Sequence, residues 1–200
     1  MPQTFVRVLA VTLALTALSG CARYSLVQPA KRTVQNAMVV EPGIEWNRID
    51  QLGWEDTGRL DVWTVDGEGL HNLLLLSGVE DGKPLFNAAP GTKETPPAFR
   101  KGMTTDELVS LFEAAYTKVN TATVYTTRAV KPVTVSGGDG VRIEFSFVGK
   151  DEVDREGVAV ATQKDGKLYM VVHQAPKLHY QQKFMPEVER ILASMQVVGK

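Results

Sequence analysis

The sequence predicts an α+β fold in which one antiparallel β-sheet lies between helices. The four leucines at 73–76 indicate a strand that is apolar on both faces, and such a strand needs cover on both sides. An amphipathic helix at 104–120 supplies cover for one face. The following β-branched segments, separated by glycine-containing turns, predict several antiparallel strands before a closing helix.

The N-terminal half of the sheet is predicted from three segments. Residues 34–40 indicate a strand that stops before Pro42-Gly43. Residues 60–65 are β-branched and aromatic, and residues 70–76 carry the leucine run. The sequence Asp-Gly-Glu-Gly between them tolerates positive φ angles, so these two segments are predicted to form a hairpin.

The helix at 104–120 has a marked start and one apolar side. Thr104 with Glu107 three residues later forms a capping box. The apolar stripe comprises Leu108, Leu111, Phe112, Ala115 and Val119.

The C-terminal half is predicted as four strands and a helix. Strands at 121–135 and 141–147 flank the turn 136–140. Strands at 157–163 and 167–174 flank Asp165-Gly166, a strong hairpin signal. Pro186 suits the first turn of the closing helix, preceded by a short helix at 178–184. The core face of the closing helix consists of Val188, Ile191, Leu192 and Met195.

Composition excludes several function classes. The apolar fraction of 44% and charged fraction of 22% are those of a globular protein, and the net charge of −1 gives no basis for a nucleic-acid partner. A single cysteine excludes an internal disulfide. The three histidines lack the close spacing of a zinc site, so no metal or cofactor is predicted.

The first 20 residues have the pattern of a secretory signal peptide. One cationic side chain, Arg7, precedes an apolar stretch at 8–17, which is about half the ~20 residues needed to span a bilayer.

The end of this leader carries a family resemblance. Leu18-Ser19-Gly20-Cys21 resembles the lipobox of bacterial lipoproteins. The resemblance implies that Cys21 is diacylated, becomes the first residue after cleavage and is then N-acylated. The expected organisation is a signal peptide at 1–20, a lipidated N-terminus and flexible tether at 21–33, and a single periplasmic α+β domain at 34–200. By resemblance to Gram-negative sorting, Ala22 after the cysteine favours the outer membrane, facing the periplasm. A secreted protein with a free thiol and an uncleaved signal anchor are the alternatives.

A second resemblance concerns the last 60 residues. The stretch from Arg142-Ile143-Glu144-Phe145 through Asp165-Gly166, Ala175-Pro176 and Tyr180 to Ile191-Leu192-Ala193-Ser194-Met195 resembles the end of PsbP-like domains. It implies a PsbP-like αβα sandwich and a non-enzymatic binding or assembly module. The leader and residues 63–86 are not part of that pattern, and the fold transfers no ligand.

The candidate interaction surface is the long connection at 87–103, which has three prolines and no periodicity. Within it, Phe99, Arg100 and Lys101 are predicted to form a contact patch for a protein partner, with a plain surface connection as the alternative. The tryptophans at 46, 54 and 63 indicate either a ligand groove or core anchors.

Catalytic signatures are weak. Ser77-Gly78 lacks the preceding glycine of a nucleophile elbow. The acidic residues between 139 and 156 lack the ligand order of an EF-hand. His173 and His179 flank Ala175-Pro176 without an evident third metal ligand.

The sequence therefore predicts a lipid-anchored cell-envelope protein that binds or supports another envelope component without chemistry of its own. It would contact the membrane through lipid on Cys21. An envelope hydrolase acting at the cell wall is one alternative. A small-ligand carrier is another, and it requires a closed apolar cavity of about 300 Å³ or more.

Overall fold

The computed structural model describes residues 23–178 and 180–198 as one eight-stranded sheet, one three-stranded sheet and two helices. The large sheet is antiparallel, in the order β1-β4-β5-β6-β10-β9-β8-β7, and the small sheet has the order β11-β3-β2. The elements are β1 (Tyr24–Val27), β2 (Arg32–Val34), β3 (Met38–Val40), β4 (Trp46–Ile49), β5 (Leu60–Thr64), β6 (Asn72–Val79), α1 (Thr105–Val119), β7 (Val124–Val135), β8 (Gly138–Val148), β9 (Asp154–Lys164), β10 (Lys167–Pro176), α2 (Tyr180–Ser194) and β11 (Gln196–Val197).

Strand β6 lies in the interior of the large sheet, between β5 and β10. Leu74 and Leu76 belong to the apolar core on the side of α1. Leu73 and Leu75 belong to the core on the side of α2 and the small sheet. The predicted burial of this strand on both faces, and the predicted α+β class, are therefore confirmed.

The local signals for α1 and for two hairpins are also confirmed. The Thr104 hydroxyl accepts a hydrogen bond from the Glu107 N–H at 3.3 Å, and the Glu107 carboxylate accepts one from the Thr104 N–H at 2.7 Å. Strands β5 and β6 pair as predicted. Asp165 and Gly166, with φ angles of 52° and 72°, form the two-residue turn between β9 and β10.

Helix α2 differs from its prediction. Pro186 was expected in a first turn that follows a separate short helix, but it lies inside one helix that begins at Tyr180. Proline removes the hydrogen bond that the carbonyl of Gln182 would accept. Burial of Phe184 and Val188, one helical turn apart on either side of the proline, keeps the segment helical across it.

The predicted strand at 34–40 is a hairpin instead. Gln35 and Asn36 have φ angles of 49° and 53°, so the chain reverses there and Val34 pairs with Met38. Strand β11 then adds to β3. The small sheet, with α2, covers one face of the large sheet.

The predicted tether at 21–33 is wrong over its described part. Tyr24–Val27 forms the edge strand β1, which pairs antiparallel with β4, and β2 begins at Arg32. Burial of Val27 in the core and a 3.0 Å hydrogen bond from the Asp50 N–H to the Arg23 carbonyl fix this segment to the sheet.

The signal peptide, Cys21 and Ala22 lie outside the described residues. In the part of the chain that the structure describes, no helix combines the length and apolarity needed to cross a bilayer.

Candidate ligand-binding groove

The candidate site is an apolar groove beside the C-terminal half of α1. Along this helix the apolar stripe packs onto the sheet, and Phe112 and Tyr116 are fully buried. Ala115 and Val119 belong to the groove lining. Because alanine is small, the helix leaves open space beside the stripe at that point.

The connection from β6 to α1 forms a second wall. The Phe99 N–H donates to the Lys83 carbonyl at 2.9 Å, and the Gly82 N–H donates to the Phe99 carbonyl at 2.8 Å. These bonds close the base of the connection. Phe86 is buried beneath it, with its ring centroid 6.3 Å from that of Tyr116. Residues 87–97 therefore stand above this base as an arch beside α1.

The third wall is Trp54, in the connection between β4 and β5. The neighbouring backbone is tied to the arch, since the Asn87 N–H donates to the Glu55 carbonyl at 3.1 Å and the Asn87 side-chain amide donates to the Asp56 carbonyl. The Trp54 side chain lines the groove but stays 39% exposed. A large aromatic surface is therefore held open to an incoming molecule.

The groove encloses about 350 Å³. Its two charged lining residues neutralise each other, because the Lys118 ammonium lies 2.7 Å from the Glu94 carboxylate. The hydrogen bond from Lys118 lowers the pKa of Glu94 below its usual value. The rest of the lining is apolar or neutral: Trp54, Phe86, Asn87, Ala88, Ala89, Thr92, Pro96, Pro97, Ala115, Thr117, Val119 and Thr121.

The predicted contact patch is not brought together. Phe99 is fully buried in the core on the α1 side, so it cannot contact a partner. Arg100 and Lys101 are exposed and line a wider, more open depression with Asp106 and Glu107. That depression encloses about 750 Å³, but its mixed charges and openness make it a weaker binding site than the apolar groove.

The three tryptophans do not share one site. Trp46 and Trp63 are buried on the α2 side of the sheet, with ring centroids 6.5 Å apart, whereas Trp54 lines the groove on the α1 side. The core-anchor interpretation therefore applies to two of them and the ligand-groove interpretation to the third.

Beside these core tryptophans lies a buried histidine pair that sequence spacing did not indicate. His71 and His173 are 1% and 0% exposed, with ring centroids 5.0 Å apart. None of their four ring nitrogens has a hydrogen-bond partner among the described residues. Burial lowers the pKa of His71 to about 4, and burial together with the neighbouring His71 lowers the pKa of His173 to about 3. Both imidazoles are therefore neutral at physiological pH.

The remaining candidates are dispersed. Ser77 is fully buried in β6. Asp151 is held by the Arg155 guanidinium at 2.6 and 2.9 Å, which lowers its pKa, and Glu156 lies 3.7 Å from Lys177. His179 falls outside the described residues, and within 23–178 and 180–198 no three potential metal ligands come together.

The groove can bury an apolar group but offers little for proton transfer. Among the described residues that line it there is no histidine, cysteine or aspartate, and the one carboxylate is paired with Lys118. A volume of about 350 Å³ lies within the range of small-molecule sites, roughly 300–1,000 Å³.

Comparison with solved structures identifies the architecture. The solution structure of cyanobacterial PsbP (CyanoP) from Synechocystis covers 90% of this chain and is itself covered over 96% of its length, with a TM-score of 0.55 and 14% sequence identity. The fold is PsbP-like. The similarity extends well beyond the last 60 residues that carry the sequence resemblance.

Two further similar structures are more distant. A Pseudomonas aeruginosa protein of unknown function covers 90% of this chain and is covered over 99% of its own, with a TM-score of 0.48 and 9% identity. LpqN, involved in cell envelope biogenesis of Mycobacterium tuberculosis, covers 91% and is covered over 88%, with a TM-score of 0.35 and 10% identity. No family model and no curated protein sequence matches it.

Proposed function

We propose that this protein is a lipid-anchored cell-envelope module that binds an uncharged apolar molecule in the groove between Trp54, the arch 87–97 and α1. The observation that carries this proposal is the groove itself, an aromatic and aliphatic lining of about 350 Å³. The groove is open to solvent at Trp54, so it supports the apolar binding site of the small-ligand alternative but not its closed cavity.

The charge distribution indicates the class of ligand. Glu94 and Lys118 pair with each other in solvent, and the other described lining residues of the groove are uncharged. Burying an unpaired charge in an apolar site is costly. The site therefore favours a neutral molecule whose affinity comes from buried apolar area, at roughly 25 cal/mol per Å².

The lipid anchor is supported by the leader. The apolar stretch at 8–17, the Leu18-Ser19-Gly20-Cys21 motif and the single cysteine of the chain all fit a lipoprotein precursor. A single acyl chain binds a membrane only marginally, whereas two or more anchor stably. Cys21 would therefore hold the protein at the periplasmic face of the outer membrane, the leaflet that Ala22 favours.

The groove is tested with residues 21–200 carrying Cys21→Ser, which keep every described residue and need no detergent. We expect the uncharged dye N-phenyl-1-naphthylamine to bind and brighten. Val119→Asp places a carboxylate in the lining and should weaken binding about 10-fold or more. Val109→Asp is the matched control, because Val109 is also a partly buried valine of α1 but does not line the groove.

If the unsubstituted protein, Val119→Asp and Val109→Asp bind the dye with equal affinity, the dye binds outside the groove and the proposed site is contradicted. A wild-type groove that rejects apolar dyes, while Val119→Asp alone abolishes crosslinking to an envelope protein in cells, would identify a partner's side chain as the occupant instead.

The anchor is tested separately in cells. Labelled palmitate should enter the wild-type protein and be absent from Cys21→Ser, and the wild-type protein should begin at Cys21 by mass spectrometry. If the protein isolated from cells begins at another residue or carries no fatty acid, the proposed lipid anchor is refuted. The proposed groove is not affected by that result.

A further inference from the structure

The folded domain begins very close to the proposed lipid. Strand β1 starts at Tyr24, three residues after Cys21. A fully extended chain covers at most about 3.3–3.6 Å per residue, so Tyr24 lies within roughly 11 Å of Cys21. A domain attached at this distance has one edge next to the bilayer and little freedom to turn away from it.

The edge that faces the anchor carries exposed apolar side chains. Tyr24 is 39% exposed and Leu26 is 55% exposed. Alternate residues of a strand share a face, so both lie on the same face of β1, opposite Val27. Tyr24 pairs with Ile49 of β4, whose side chain belongs to the core on the α1 side. The exposed pair therefore extends that apolar face beyond the area that α1 covers.

A cation accompanies the pair. The Arg23 guanidinium lies 5.8 Å from the centre of the Tyr24 ring, and it is paired with the carboxylate of Glu68. Tyrosine and long cationic side chains are enriched where proteins meet lipid headgroups, because one end is apolar and the other is polar. The exposed side chains of Tyr24 and Leu26 fit that boundary.

The opposite edge of the sheet is built differently. Strand β7 carries Lys131 and Pro132, and its register with β8 shifts around Arg128. Proteins use these features to protect an open edge from other strands. Strand β1, with the sequence Tyr-Ser-Leu-Val, contains neither lysine nor proline.

We infer that β1 lies on the lipid bilayer, with Tyr24 and Leu26 in the headgroup region. The inference rests on the proposed lipid anchor, because the three-residue distance to Cys21 is what selects a bilayer as the surface that covers this edge. It fixes the orientation of the domain on the membrane, with β1 next to the bilayer and β7 away from it.

The test uses the full lipidated protein in vesicles of phosphatidylethanolamine and phosphatidylglycerol. Acylation blocks the only native thiol, so one introduced cysteine can be labelled alone with a nitroxide. Leu26→Cys reports on β1. Val130→Cys is the matched control, since Val130 is an exposed apolar residue of the opposite edge strand, at 42% exposure. Collision rates with oxygen and with a water-soluble nickel chelate are measured, and mass spectrometry of the same samples counts the acyl chains.

We expect the ratio of oxygen to nickel collisions to be about threefold higher at 26 than at 130, as for a side chain 5–10 Å into the interface. If the ratio of oxygen to nickel collisions is equal at positions 26 and 130 of an acylated protein, the docking of β1 is overturned. The lipid anchor is not contradicted by that result. Lower collision rates for both reagents at 26, with spin–spin broadening, would show that a second copy covers β1 and would also overturn it. A protein without acyl chains would overturn the anchor and the docking together.

Discussion

The buried histidine pair makes a quantitative prediction about stability at mildly acidic pH. His71 lies between Trp46 and Phe184, at centroid distances of 4.8 and 3.9 Å, and His173 lies beside it. Burial is the main cause of their lowered pKa values. Two charged groups act on His71: Asp66 and Lys183 pair at 2.8 Å and shift the pKa of His71 in opposite directions. The folded protein therefore resists protonation of both rings.

The direction of the effect follows from proton linkage. An unfolded histidine titrates near pH 6.5, whereas the folded values are about 4 for His71 and about 3 for His173. Below pH 6.5 the unfolded chain binds more protons than the folded protein, so the free energy of unfolding falls as the pH falls. Between pH 7 and pH 5 the loss is about 2 kcal/mol for each ring and about 4 kcal/mol for the pair. That is a large part of the roughly 5–15 kcal/mol typical of a domain.

The assay is urea unfolding followed by tryptophan fluorescence at pH 7, 6 and 5. His71→Leu and His173→Leu should each remove about half of the pH dependence, whatever their stability at pH 7. Val188→Ala is the control, because it removes apolar contact in the same core without removing a titrating group. It should lower stability at every pH by a similar amount. A wild-type loss below about 1 kcal/mol between pH 7 and pH 5 would refute the reasoning, since the rings would then not be desolvated.

Two further substitutions test the packing and the helix start. A Cβ at Gly157 would lie 2.3 Å from the Phe145 ring and 2.5 Å from the His173 carbonyl, so Gly157→Ala should lower the free energy of unfolding by about 3 kcal/mol. Gly138→Ala, whose nearest contact would be 3.8 Å away, should change it by less than about 0.5 kcal/mol, and similar losses for both would contradict the packing. Thr104→Ala removes the capping box and should lower the free energy of unfolding by about 1 kcal/mol, as measured by urea denaturation. Thr104→Ser keeps a hydroxyl at this position and is the control that should restore stability.

The features predicted correctly from sequence depend on neighbours in the chain. The leucine run of β6, the capping box of α1 and the Asp165-Gly166 turn each carry their signal within a few residues. The α+β architecture was predicted from the order of such elements, and its PsbP-like form from a family resemblance.

The features missed from sequence depend on distant contacts. Strand β1 has four residues and is held by pairing with β4, about twenty residues later, which no local periodicity reports. Phe99 lies in a proline-rich connection whose composition indicates exposure, but two backbone hydrogen bonds to residues 82 and 83 bury it. The groove joins Trp54 to an arch and a helix far along the chain. Trp54 and the connection at 87–103 were separate candidates beforehand, and no local pattern indicated that they meet beside α1.

The long outer strand β7 has a consequence for behaviour at high local concentration. Its twelve residues would otherwise offer a template along which copies could join into a continuous intermolecular ladder. Pro132 lacks an N–H to donate, and the irregularity at Arg128 interrupts the spacing that an incoming strand would need. Molecules at high concentration are therefore expected not to pair with one another through β7. Fibre growth along this edge is blocked, while the other surfaces of the domain stay available for specific binding.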